Sequence, residues 1–300
     1  MSNLELTTDS LSTSTTAPPA LAASDISVRF GGVTALAGVS LTVPSGQIVG
    51  LVGPNGAGKT TMFAVLSGLL RPNSGNVFLG GQDVTSSRPQ ARARMGLART
   101  FQQPELFLGL TVREHLVLAH RVRYARRRLW SDLVTGRALR RADPQETEHV
   151  DSLIEMLGIT DISSQPVAGL PLGLSRRVEL GRALASSPSI LLLDEPFSGL
   201  DSQESEQVLS GLMRTVNERN VAMLLVEHDV ETVLGVSSRV FVLDFGVLIA
   251  EGRPEEIRAN PTVQAAYLGT ATGISAELAA GVDGLIPETN LTADPNRTGR

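Results

Sequence analysis

The sequence predicts an α/β protein built on a buried parallel sheet. Two short apolar runs, Ile190–Leu193 and Val221–Val226, each end in acidic residues: Asp194–Glu195 after the first, Glu227 and then His228 after the second. Runs this short and this apolar read as strands covered on both faces. A third run, Gln47–Val52, feeds the glycine-rich stretch Gly53–Gly58, and Thr60–Leu70 then places Met62, Val65, Leu66 and Leu69 at helical spacing. A strand, a glycine-rich turn and a helix in that order form the core of such a fold.

The other elements follow along the chain. Residues 1–23 are rich in Ser, Thr, Ala and Pro and read as a disordered lead-in. Asp25–Phe30 and Gly38–Val43 alternate as antiparallel strands do, and Asn76–Leu79 follows a Pro72–Gly75 turn as a further strand. Val112–His120 and Glu146–Leu157 have helical spacing, and between them lies an Arg-rich segment, residues 121–141. That segment reads as a solvated face, with Leu129, Trp130, Leu133 and Leu139 turned inward, or as a contact with anionic lipid or a membrane subunit, with DNA a third reading that the acidic net charge disfavours. Arg176–Ser186 and Gln203–Asn217 are expected helices, Arg239–Leu243 and Val247–Ala250 a late hairpin, and residues 270–300 a flexible tail.

Composition narrows the function. The chain has 300 residues, 42% hydrophobic, enough for a substantial core. A formal charge of −5 argues against nucleic acid as the main ligand. The absence of cysteine removes disulfides, thiol catalysis and thiolate metal sites. No apolar run approaches the roughly 18 residues of a membrane span. Met1–Leu21 has neither basic residues nor an apolar centre, so it does not read as a secretory signal, and a soluble protein in a reducing compartment is expected. Of 26 basic residues, all but Lys59 are arginine, so Lys59 marks a site that needs a compact ammonium.

Lys59 stands in Gly53-Pro54-Asn55-Gly56-Ala57-Gly58-Lys59-Thr60, which fits G-x-x-x-x-G-K-[ST], with Thr61 next in line. Backbone N–H groups of such a loop turn inward on phosphate oxygens, and the following helix N-terminus adds partial positive charge. Lys59 then reaches the β- and γ-phosphates, and the Thr60 hydroxyl can ligate Mg²⁺. Asp194, at the end of a buried strand, can hold the Mg²⁺ shell, and Glu195 is placed to polarise a water for attack on the γ-phosphate.

The ordered set of phosphate loop, Gln102, Leu170–Leu174, Asp194–Glu195, Ser198–Asp201 and His228 resembles the ATPases of ABC transporters over residues 24–269. The resemblance implies a P-loop NTPase core, an antiparallel β-subdomain and an inserted helical subdomain over about residues 104–186. It implies ATP and Mg²⁺, with Gln102 sensing the metal and the γ-phosphate and His228 orienting the attacking water. Phe30 lies where the family stacks an aromatic on adenine, though a core aromatic is equally compatible with its place at a strand end. Leu170-Pro171-Leu172-Gly173-Leu174 matches the family's signature loop, which closes on the nucleotide of a partner subunit. It lacks the usual serine and glutamine, leaving Gly173 and the following helix N-terminus to face the anion. A side chain at Gly173 is expected to stand between that backbone and the γ-phosphate. Asp201 belongs to the loop that crosses to the partner.

Further partners implied are a second such subunit, identical or related, permease subunits on other chains and, indirectly, a solute-binding protein, with no nucleic acid. The implied location is peripheral, on the cytoplasmic face of the membrane. Phe30–Leu36, Arg99-Thr100-Phe101-Gln102, the Arg-rich insertion and the ending Glu251–Gly269 are similar to the branch serving branched-chain amino-acid import. Some of these features are shared with ATPases of urea import and of lipopolysaccharide export. A soluble, non-transport ABC ATPase is the reading from another class.

Overall fold

A computed structural model describes residues 17–101, 105–124 and 143–268. In chain order the elements are β1 (Leu21–Phe30), β2 (Val33–Val43), β3 (Ile48–Val52), α1 (Lys59–Ser67), β4 (Ser74–Leu79), β5 (Gln82–Asp83), α2 (Pro89–Arg94), β6 (Leu97–Arg99) and α3 (Val112–Tyr124). They continue with α4 (Pro144–Met156), a 3₁₀ turn (Thr160–Ile162), α5 (Leu172–Ala185), β7 (Ile190–Asp194), α6 (Ser202–Arg219) and β8 (Ala222–Val226). The last are α7 (Val230–Val236), β9 (Arg239–Asp244), β10 (Val247–Gly252), α8 (Pro254–Arg258) and α9 (Pro261–Leu268).

Two sheets form. The central one runs β10-β9-β3-β8-β7-β6, parallel throughout except for the β9–β10 hairpin. Every residue of β3, β7 and β8 is buried, which is why these strands carry unbroken apolar runs. The second sheet, β2-β1-β4-β5, is antiparallel. Its buried Leu21, Ile26, Val28, Leu36 and Val39 share a core with Met62, Phe63, Val65 and Leu66 of α1. The helices α3 to α6 build the other core with Leu191, Leu193, Met223 and Leu225. Phosphate loop and acidic strand ends therefore sit at the carboxyl edge of parallel strands, where such sheets open to ligands.

Several boundaries differ from the sequence reading. Strand β1 starts at Leu21, inside the segment assigned to the lead-in, because Leu21 is fully buried and pairs with both Val43 and Leu79. Helix α5 starts at Leu172 rather than Arg176. Pro171, with no N–H and φ fixed near −52°, supplies its N-cap. The 3₁₀ turn and the short elements β5, β6, α2, α7, α8 and α9 have too few residues for periodicity to reveal. Gln102 and residues 125–141 of the Arg-rich segment lie outside the described residues, as does the tail from 269.

Candidate nucleotide site

The phosphate loop leaves β3 and enters α1 through Gly58, whose φ is +105°. A side chain there would be strained, and its Cβ would lie 2.8 Å from the Ala35 carbonyl oxygen. The loop is pinned at both sides: the Ala57 N–H donates to the Pro54 carbonyl at 3.1 Å, and the Gly246 N–H donates to the Ala57 carbonyl at 3.0 Å. The first turn of α1 carries no acidic side chain of its own to offset its positive end. At its other end, the fully buried Arg92 donates to the Val65 and Leu66 carbonyls, both at 2.7 Å, and to the Val84 carbonyl at 2.8 Å. That guanidinium caps α1 and ties it to the antiparallel subdomain.

Lys59 bends back along the loop and donates to the Gly53 and Pro54 carbonyls at 2.5 and 3.1 Å. Burial lowers its pKa, opposed by the charges of Glu195 and Asp194. The phosphate loop and the end of β7 thus share one electrostatic site. Thr60 and Thr61 follow in the first turn of α1.

Asp194 is buried, and its Oδ2 accepts from Arg99 at 3.2 Å. Its N–H donates to Thr100 Oγ1 at 3.0 Å. Burial raises the carboxyl pKa, and Arg99 pulls it back. Glu195 has φ +50°, a conformation L-residues adopt at a cost of about 1–3 kcal/mol. It is held there by its N–H donating to Val226 and by Arg176 donating to its carbonyl, both at 2.9 Å. His228 Nε2 lies 2.8 Å from Glu195 Oε1, although His228 itself is largely exposed. The adjacent Glu227 accepts from the Phe197 and His228 N–H groups at 2.8 and 3.3 Å, and burial pushes its carboxyl up to about 7.

Thr60 hydroxyl and Asp194 carboxylate are hard oxygen donors, which Mg²⁺ prefers. Among the described residues, no three His, Cys, Asp or Glu side chains form a metal cluster. One carboxylate plus phosphate oxygens is the usual way Mg²⁺ is held, so the donor set fits. Gln102, the third expected ligand, lies outside the described residues.

Phe30 is 52% exposed at the end of β1, so it is not a core aromatic. Leu172, Gly173 and Leu174 form the first turn of α5, where backbone N–H groups have no intrahelical acceptor. Gly173 is also constrained within its own chain. A Cβ on it would lie 2.6 Å from the Gly199 carbonyl oxygen, so the constraint comes from the neighbouring loop of the same chain. Asp201 caps α6: its Oδ1 accepts from the Glu204 N–H at 2.8 Å, and Glu204 answers in a capping box. Sequence reasoning does not reach Arg99, Arg176, Glu179 or Glu227 as site residues, because a buried charge leaves no periodic trace in a sequence.

Comparison with known proteins fits this geometry. The family pattern described as ABC transporter matches residues 36–198, and that described as branched-chain amino acid ATP-binding cassette transporter matches residues 247–272. The high-affinity branched-chain amino acid transport ATP-binding protein LivG of Salmonella typhimurium is 39% identical over 84% of this chain and 99% of its own. BraF of Pseudomonas aeruginosa, with the same description, is 37% identical over the same shares. The lipopolysaccharide export system ATP-binding protein LptB of Acidithiobacillus ferridurans is 35% identical over 77% of this chain and 89% of its own. Among solved structures, the ADP conformation of an ATP-binding cassette of an ABC transporter superposes with a TM-score of 0.70 at 28% identity, covering 83% of this chain and 98% of that one. A nucleotide-free cassette gives the same TM-score at 27% identity, covering 82% and 98%. Among the described residues, no helix is long and apolar enough to cross a membrane. Motif order, site geometry and likeness over most of both lengths agree: the chain belongs to the ABC transporter ATP-binding family.

Proposed function

We propose that this chain binds ATP with Mg²⁺ and hydrolyses it to energise import of branched-chain amino acids. The reading rests on the carboxyl-terminal match at residues 247–272, which LivG-like relatives support at 37–39% identity. The lipopolysaccharide-export relative is nearly as similar overall, so the C-terminal pattern, not the core, carries the choice of solute.

In this reading the Lys59 ammonium exchanges the Gly53 and Pro54 carbonyls for β- and γ-phosphate oxygens. The loop and α1 N–H groups cradle the remaining oxygens. Thr60 and Asp194 hold Mg²⁺, which, when bound, neutralises charge developing on the phosphates. Glu195 accepts a proton from the attacking water, and His228, 2.8 Å away, fixes the carboxylate and the water. Phe30 stacks on the base. The first turn of α5 and the Ser198–Asp201 loop face the nucleotide of a partner subunit, so two chains enclose two nucleotides. Permease subunits lie on other chains, and the assembly sits at the cytoplasmic face of the membrane.

The test is uptake of radiolabelled leucine by cells lacking the gene. Uptake should fall on deletion, return with the intact gene, and stay low with Lys59→Ala. Unchanged leucine uptake in the deletion strain would refute the assignment of solute.

A further inference from the structure

Helix α2 gathers positive charge that the nucleotide site does not use. Its Arg92 points inward and is buried against the end of α1. Each residue turns about 100° round a helix, so Arg94 emerges on roughly the opposite side, where it is exposed. Arg88, just ahead of the helix, is exposed too. The segment leaving α1 runs beside it. A Cβ on Gly68 would lie 2.9 Å from the Ser87 carbonyl oxygen, and the exposed Leu69 and Arg71 follow. At the far end of α2, Arg123 of α3 donates to the Arg94 carbonyl at 2.6 Å. Arg71, Arg88, Arg94 and Arg123 thus surround one helix of six residues, about 9 Å long. No carboxylate answers them. Among the described residues none of the four forms an ion pair, whereas Arg113, Arg239 and Arg258, also at the surface, each have one. Asp83 is the only acid between residues 60 and 104. It accepts from Thr85 Oγ1 at 2.6 Å and from Asn76 at 3.0 Å. The whole chain carries −5, so this corner is charged against the trend.

Apolar side chains stand among these arginines. Leu69 is 56% exposed, and Val122, next to Arg123, is 61% exposed. Nucleic acid would use the charge but gives the exposed aliphatic groups nothing to do. An anionic bilayer surface accommodates both: guanidinium groups meet the phosphates, and aliphatic groups reach the acyl boundary. We propose that this corner binds the headgroups of anionic phospholipids and seats the chain directly on the bilayer surface. Three of its four arginines lie outside the Arg-rich segment 121–141. The contact belongs to this chain's own surface, so it stands whichever solute is carried.

The test is co-sedimentation of the full chain with protein-free vesicles, either phosphatidylcholine alone or with about a third phosphatidylglycerol. At about 50 mM salt the parent should pellet with the anionic vesicles and stay in solution with the neutral ones; about 0.5 M salt should release it. A basic residue at such a surface is worth about fivefold in partitioning, so Arg71→Ser, Arg88→Ser and Arg94→Ser combined should weaken binding about a hundredfold. All three positions are exposed, so the urea unfolding midpoint of this variant should match the parent's. A control combining Arg214→Ser, Arg219→Ser and Arg253→Ser removes the same charge at exposed positions outside the corner, and should bind within about threefold of the parent. A parent that ignores anionic vesicles, pelleting that salt does not reverse, or equal losses in the two triple variants would each overturn the proposal. Tighter binding to duplex DNA than to the anionic vesicles in the same salt would assign the corner to nucleic acid and refute it equally.

Discussion

Replacing Arg99 with methionine tests how the acidic strand end is held. Ion pairs in this protein fall into two regimes, and burial decides between them. In Arg99–Asp194 the side chains are 10% and 7% exposed, whereas in Arg258–Glu231 they are 44% and 45% exposed. An exposed pair contributes about 0–1 kcal/mol, because water and salt screen it. Removing one partner of a buried pair typically costs about 3–5 kcal/mol, because the remaining charge stays out of water without compensation. Arg99 also lies over the Phe63 and Phe101 rings and donates to Ser67 Oγ at 3.1 Å, contacts that methionine replaces only in part. Arg99→Met should therefore lower unfolding free energy by about 3–5 kcal/mol, and Arg258→Met by less than about 1 kcal/mol. Urea unfolding of both variants, with Asp194→Asn and the double variant closing a cycle, measures the difference. In the double variant most of the Arg99→Met loss should disappear, since no charge is left stranded. Equal, small losses for Arg99→Met and Arg258→Met would refute the reasoning.

Amine-directed labelling should modify only Lys59 and the chain amino terminus, and ATP should protect Lys59 selectively; equal labelling with and without ATP would remove Lys59 from the phosphate site. Gly173→Ala places a methyl 2.6 Å from the Gly199 carbonyl oxygen, so it should cost about 1–3 kcal/mol in urea unfolding while leaving ATP affinity intact. Glu227 gives a pH signature. Its folded pKa is raised from an ordinary 4.5 to about 7, so the folded state binds the proton more tightly. That contribution is fully present below about pH 4.5 and is lost as pH rises through about 7, a span worth about 3 kcal/mol. Unfolding curves at pH 5 and pH 8 should show a smaller drop in Glu227→Gln than in the parent, and an identical drop would assign the proton elsewhere.

The sequence made the central strands legible because burial on both faces forces unbroken apolar runs, as at Ile190–Leu193. The phosphate loop was legible because glycine at a position like Gly58 answers a backbone need that no other residue meets. What it hid falls under two physical causes. Short elements such as β6 and α7, with three and seven residues, span fewer than two periods of their own pattern, too few for it to repeat. Side chains such as Arg99 and Glu179 act through contacts with residues distant in the chain, Asp194 and Phe101, and local spacing carries no record of them. Gly173 shows a subtler gap. Gly173 is legible as a loop glycine, but the close approach of Gly199 to it exists only once α5 and the loop after β7 are packed together.

In the proposed function, Glu195, held in a strained backbone conformation beside His228, takes the proton from the water that attacks ATP. The direct measurement is single-turnover hydrolysis by Glu195→Gln, with light scattering on the same sample. Glutamine keeps the shape but cannot accept the proton, so hydrolysis should slow by about 10²–10⁴-fold. ATP should stay bound, and the particle should run at twice the 31.7 kDa of one chain. Hydrolysis at the parent rate would show that Glu195 is only an acid at a strand end, and the account of the site would fail.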